Sequence, residues 1–146
     1  ARAMKKGVEV LKPHLATGAT GSMGKLIIAT VAGDLHDIGK NLVAMMIESA
    51  GFEVIDLGVD VPASKIIECY KENPDVKVIA LSALLTTTMP SLKDTVAAIN
   101  AEDFRGKVKV MVGGAPITDA FAKEIGADGY SEDAASAAVL AKALVA

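Results

Sequence analysis

Gly33-Asp34-Leu35-His36-Asp37-Ile38-Gly39-Lys40-Asn41 decides the fold of this chain through what lies on either side of it. Upstream runs Leu26-Ile27-Ile28-Ala29-Thr30-Val31-Ala32, an almost wholly apolar segment of the kind that forms a parallel strand buried on both faces. Downstream, Leu42, Val43, Met45, Met46, Ile47 and Ala50 recur at helical spacing. The nonapeptide is therefore read as a strand-to-helix turn. It sets a histidine, flanked by aspartates and glycines, at the carboxyl end of a strand, the edge at which open α/β sheets bind ligands.

The same alternation continues along the chain. Strand one is placed at 26–32 and helix one at 38–50, ending near Gly51. Glu53-Val54-Ile55-Asp56-Leu57 is strand two, closed by Gly58. Val61-Pro62 opens helix two over 63–72, since proline is tolerated in a first helical turn, and Asn73-Pro74-Asp75 stops it. Strand three runs from Val76 to Ser82. Pro90 opens helix three, with Leu92, Val96 and Ile99 as its inward stripe. Strand four is placed at 108–112 and ends at Gly113-Gly114. Pro116 opens helix four, with Ala120, Phe121 and Ile125 expected to face in. A short strand five at 127–130 and an alanine-rich helix five at 133–145 complete the pattern.

Successive βα units with short connections imply a parallel sheet covered on both faces. Right-handed crossovers restrict its topology, and the common solution for five strands is the flavodoxin-like (Rossmann-like) order 2-1-3-4-5. Its switch point lies between strands one and three. That places loop 33–39 beside loop 82–89, so His36 and the Ser82–Met89 segment are expected to border one ligand site.

Composition narrows the function. Apolar residues make up 51% of the 146-residue chain and mean hydropathy is +0.40, which argues against disorder and for one domain with a full core. Two Tyr, three Phe and no Trp leave few rings on which nucleic-acid bases could stack. A net charge of −3 and a pI near 5.4 give no electrostatic reason to bind a phosphate backbone. No apolar run approaches the ~20 residues that span a bilayer, and no signal-peptide pattern opens the chain. The single cysteine, Cys69, excludes an internal disulfide. A cytoplasmic protein that binds neither nucleic acid nor membrane is expected.

Upstream of the α/β part, Met4, Val8, Leu11 and Leu15 form a stripe at helical spacing. Residues 1–16 are read as the last helix of an otherwise missing N-terminal helical cap, 17–25 as a Gly/Ser/Thr-rich linker, and 26–146 as the ligand-binding domain. The linker glycines do not form a phosphate loop, because they precede the first strand and lack a Gly-Lys-Ser/Thr ending.

His36 taken alone would be an exposed or capping histidine. Its setting suggests more. Asp34 can reach its second ring nitrogen, and Gly39 lets a flat or bulky ligand approach the backbone. A carboxylate-held imidazole serves as a metal ligand or as a general base. One histidine cannot hold zinc, and His14 lies beyond the linker. A metal bound by His36 would therefore arrive with its other ligands supplied by a macrocycle.

Asp34-x-His36-x-x-Gly39, then Ser82-x-Leu84, then Gly113-Gly114 resembles the signature of cobalamin-binding domains of the base-off, histidine-on type, over about 26–146. The strings Gly33 to Asn41 and Asp56-Leu57-Gly58-Val59-Asp60-Val61-Pro62 resemble the methyl-transferring branch more than the mutases. That branch includes methionine synthase and the small corrinoid proteins of methanogens and acetogens. The resemblance implies cobalamin or a related corrinoid, with His36 as lower axial cobalt ligand and Asp34 accepting its second N–H. Thr88 would complete the relay. Ser82 and Thr86 would bind the base of the displaced nucleotide tail, Gly113 and Gly114 would leave space for it, and Ala134 would border its far end. Gly33, Leu35, Asp37, Ile38, Gly39 and Leu84 complete the implied cofactor-binding set. The slot would be lined by small residues such as Ala83 and Ala115. The implied function is methyl carriage from a donor methyltransferase to an acceptor methyltransferase, with a reductive activase as a further partner. No acid, base or nucleophile set for self-contained catalysis is found. An adenosylcobalamin mutase subunit, or a flavodoxin-like module without corrinoid, is the alternative.

Overall fold

The computed structural model describes residues 24–114 and 116–145. The helix expected at 1–15, His14, linker residues 17–23 and Ala115 lie outside the described residues. Strands β1 (Gly24–Thr30), β2 (Phe52–Asp56), β3 (Val76–Ser82), β4 (Lys109–Gly113) and β5 (Gly129–Ser131) alternate with helices α1 (Ile38–Ser49), α2 (Ala63–Glu72), α3 (Met89–Asn100), α4 (Asp119–Ile125) and α5 (Ala134–Val145). The sheet order is β2-β1-β3-β4-β5 and each pairing is parallel, the flavodoxin-like arrangement that successive βα units impose.

Side-chain alternation along each strand divides the core in two. Ile27, Ala29, Ile79, Leu81, Val110 and Val112 face the layer that carries Ile66 and Tyr70 of α2 and Leu92, Val96 and Ile99 of α3. Leu26, Ile28, Val78, Ala80 and Met111 face Ile47 of α1 and Ala137, Ala138 and Ala141 of α5. The small alanines of α5 let that helix lie close to the sheet.

Element ends differ from expectation in ways that have local causes. The first strand begins at Gly24, where Gly24 and Lys25, expected in the linker, pair with Phe52 and Glu53. It ends at Thr30 because Val31 leaves the ladder for a single bridge to Val61. Helix four starts at Asp119 and not at Pro116. Ile117 N bonds Gly114 O in a tight turn, and the Thr118 hydroxyl then accepts from Phe121 N at 3.1 Å as the N-cap. At helical spacing Ala122 shares the inward face with Ile125, so Ala122 is buried where Ala120 was expected, and Ala120 is exposed. Among the described residues no helix is long and apolar enough to cross a membrane.

Candidate functional site

The site forms where the sheet outlasts its helical cover. Beyond Ile28, Ala80 and Met111, the face under α1 and α5 continues with one row across four strands. Thr30 is in register with Ser82, Ser82 with Gly113, and Gly113 with Ser131. Hydroxyls and a glycine thus replace aliphatic side chains at the carboxyl ends. A slot of about 330 Å³ opens above the row, walled by Gly39, Lys40, Leu42 and Val43 of α1 and by Glu132, Asp133 and Ala134 at the start of α5. Ser82, Leu84, Gly113 and Gly114 also line it.

The glycines are needed for this shape. A Cβ on Gly113 would sit 2.9 Å from Ser131 O. Gly114 has φ +135°, and a Cβ there would overlap Ala83 O. Ser131 is nearly buried, and no described residue hydrogen-bonds its hydroxyl.

Beside the slot stands the histidine loop. Asp34 has no exposed surface. Its Oδ1 accepts from His36 Nδ1 at 2.7 Å and His36 N at 3.1 Å, and its Oδ2 accepts from Leu84 N at 2.6 Å and Thr88 Oγ1 at 2.9 Å. Burial alone raises the Asp34 pKa, but the hydrogen bonds from Leu84, His36 and Thr88 outweigh it and bring the group down to about 2. An ionised acceptor at Nδ1 fixes the imidazole tautomer, with the proton on Nδ1 and the lone pair on Nε2. The His36 side chain is 51% exposed, and among the described residues Nε2 has no partner. Leu35 and Ile38 flank it as exposed apolar groups, and with His36, Asp37 and Leu84 they line a second cavity of about 270 Å³. Leu84 borders both cavities.

The loop is held from below. Gly33, at φ +88°, donates its N–H to Asp60 Oδ1 at 2.7 Å, and Asp60 N donates to Asp34 O at 2.9 Å. The Thr30 hydroxyl, fully buried, donates to His36 O at 3.2 Å and lies 3.1 Å from Ser82 Oγ.

The structure therefore brings together most of the residues singled out from sequence, and the expected juxtaposition of His36 with loop 82–89 runs through Leu84 and Thr88. Thr86 is different. It sits exposed in the 3₁₀ turn Thr86–Thr88, outside the residues that line either cavity. Thr30 and Asp60 had drawn no role from sequence. A threonine closing an aliphatic strand is a signal for the first; nothing local distinguishes the second.

A half-exposed imidazole whose Nε2 has no partner among the described residues, an apolar collar around it, a glycine-cut slot next to it and a nearly buried Ser131 hydroxyl without a hydrogen-bond partner among the described residues fit a flat metal macrocycle with a long polar tail. Comparison with known proteins agrees. A model of the B12 binding domain matches residues 24–139. Dimethylamine corrinoid protein 3 of Methanosarcina mazei is 51% identical over 148 aligned positions, covering 100% of this chain and 87% of that protein. The structure of the Methanosarcina barkeri monomethylamine corrinoid protein has 40% identity and a TM-score of 0.81, over 97% of this chain and 67% of the other. In the methanol:cobalamin methyltransferase complex MtaBC from Methanosarcina barkeri, one chain matches at 32% identity and a TM-score of 0.79, over 99% of this chain and 54% of the other. With the matched region spanning the entire sheet and the Asp34–His36 loop at its mouth, the chain belongs to the B12-binding domain family.

Proposed function

We propose that this chain is a corrinoid-binding methyl carrier, holding the cofactor base-off with His36 Nε2 as the axial cobalt ligand. When bound, the corrinoid supplies a cobalt centre able to accept and release a methyl group. The chain's own residues position it. Asp34 and Thr88 hold the imidazole in the tautomer that presents Nε2, and Leu35, Ile38 and Leu84 supply an apolar seat beside it. Gly39, Ser82, Gly113, Gly114 and Ala134 shape the slot for the nucleotide tail, with Ser131 as an additional hydroxyl on its floor.

The observation that carries this reading is the four-donor shell of Asp34, which leaves Nε2 of the half-exposed His36 ring as a lone pair without a partner among the described residues. The names of the relatives support a methylated amine as methyl source, delivered by a donor methyltransferase. An acceptor methyltransferase working on a thiol or tetrahydrofolate, a reductive activase and a cytoplasmic setting complete the proposal. The N-terminal helix read from sequence would belong to a helical cap over the methyl face. Neither the mutase-subunit reading nor the corrinoid-free reading has a comparable observation in its favour.

Loading the protein with cobalamin tests the proposal. With His36 15N-labelled, the cobalt(II) form should show imidazole nitrogen coupling in its electron paramagnetic spectrum. His36→Ala should lose that coupling while still taking up corrinoid through the slot. Methyl transfer should then be seen with donor methyltransferases for mono-, di- or trimethylamine in preference to one for methanol. A spectrum showing the corrinoid's own base on cobalt, or a protein that takes up no corrinoid, overturns the reading.

A further inference from the structure

We propose that Thr30 is a positioning residue that couples occupancy of the slot to the setting of the His36 loop, through the single proton it shares between two partners. The inference rests on the corrinoid reading above for the identity of the slot ligand. The coupling itself follows from the hydroxyl geometry.

Thr30 is the last residue of β1 and its side chain is fully buried. The His36 carbonyl precedes α1, and among the described residues the Thr30 hydroxyl is its donor. This contact, at 3.2 Å, uses the one proton that a threonine hydroxyl carries. The 3.1 Å contact between Thr30 Oγ1 and Ser82 Oγ must then use the serine's proton. With the slot empty of a competing acceptor, Ser82 therefore donates inward to Thr30 and presents lone pairs to the slot. Its partner across the register is the threonine, and its other side is open to the cavity.

A slot ligand that offers an acceptor nitrogen to Ser82 reverses this order. Once Ser82 donates to the ligand, two lone pairs face each other across the Thr30–Ser82 contact unless Thr30 turns its proton to Ser82. Turning it releases the His36 carbonyl. The carbonyl belongs to the same residue whose ring is held by Asp34, so the loop that aims Nε2 loses one of the hydrogen bonds that hold it. A ligand without a group in the slot leaves the chain Ser82 to Thr30 to His36 intact. Slot contents thus bias the loop without touching it, and the path consists of two side chains.

The test compares protein loaded with cobalamin, whose tail carries a base, against protein loaded with cobinamide, which has no tail. The readouts are the histidine nitrogen coupling in the cobalt(II) form and the midpoint potential of the cobalt(II)/cobalt(I) couple. In the wild type, the two corrinoids should differ in both. In Thr30→Val, which keeps the β-branched shape and removes the hydroxyl, the cobalamin–cobinamide difference should be lost. Thr30→Ser should restore it. Ser82→Ala breaks the same pair from the other side and should also abolish the difference, so the test stands even if Thr30→Val folds poorly. A purely structural role for Thr30 would lower stability while leaving the difference between the corrinoids in place, and that result overturns the inference. Equal values for both corrinoids in the wild type overturn it as well. Absence of histidine coupling in every sample would instead remove the axial-ligand reading beneath it, which is a separate and recognisable failure.

Discussion

A carboxylate with no exposed surface is tolerated only when its lone pairs are used, and at Asp34 two backbone amides, a ring N–H and a hydroxyl use them. Those donors do more than orient His36; they store stability that depends on pH. Depression from 3.8 to about 2 corresponds to about 2 kcal/mol favouring the folded state while the group is ionised in both states. The sign is that of a lowered acid: the contribution is complete above the unfolded pKa and is lost as pH falls through the folded one. In urea titrations of the corrinoid-free protein, the wild type should lose about this amount between roughly pH 4 and pH 2. Asp34→Asn should begin about 2 kcal/mol less stable at neutral pH and show a flatter profile over that window. Parallel profiles for the two proteins would mean that the carboxylate is not held below its usual range.

Helix α1 carries the loop's other end, and its attachment to the sheet is partly ionic. Lys40 is 3% exposed, and its Nζ reaches Asp56 Oδ1 and Oδ2 at 2.8 and 2.7 Å and Asn41 Oδ1 at 2.6 Å. Asp56, at the end of β2, is the more exposed partner and also accepts from Gly58 N. Removing either side is therefore not equivalent. Asp56→Ala strands a buried ammonium and should lower unfolding stability by about 3 kcal/mol, whereas Lys40→Met leaves only a solvated carboxylate and should cost distinctly less. Thermal or urea unfolding of the two variants decides the order, and the reverse order would deny that the pair anchors the helix. This pair also shows where reading a sequence stops. The strand-helix alternation is legible because Leu26 to Val31 is buried throughout and Val76 to Leu81 is interrupted by Lys77 alone, and Asp34 reaching His36 is legible because the two lie two residues apart in the turn. A lysine on an amphipathic helix, by contrast, reads as solvated until a strand sixteen residues away supplies its partner. Thr30 and Ser82 meet only through the register of β1 against β3, and Asp60 reaches Gly33 from the neighbouring crossover loop. Thr86 errs the other way: it belongs to a recognisable hydroxyl cluster, but the 3₁₀ turn gives the inward position to Thr88.

At the level of the whole domain, one face of the sheet is sealed and the other is left open at the site. The face under α2 and α3 is aliphatic through Val31, Leu81 and Val112, while the face under α1 and α5 ends in the Thr30, Ser82, Gly113 and Ser131 row beside a slot of about 330 Å³. α1 covers this side thinly, with Leu42 and Met45 exposed and Ile47 as its buried aliphatic anchor. A ligand that inserts between the two helices and the sheet would complete the layer and bind only the folded chain. Such binding stabilises by about 4 kcal/mol when free ligand exceeds Kd a thousandfold. For a domain of this size that corresponds to a Tm rise of roughly 10 °C. Cobalamin should produce a rise of this order. Cobinamide, which has no nucleotide tail to place in the slot, should produce a smaller one. Amide exchange should locate the difference, with α1 and α5 gaining protection from cobalamin alone and the α2 and α3 layer responding alike to both. Equal Tm shifts with equal protection of α1 and α5 would show that the slot is not completed by the tail, because the energy would then come wholly from the histidine side.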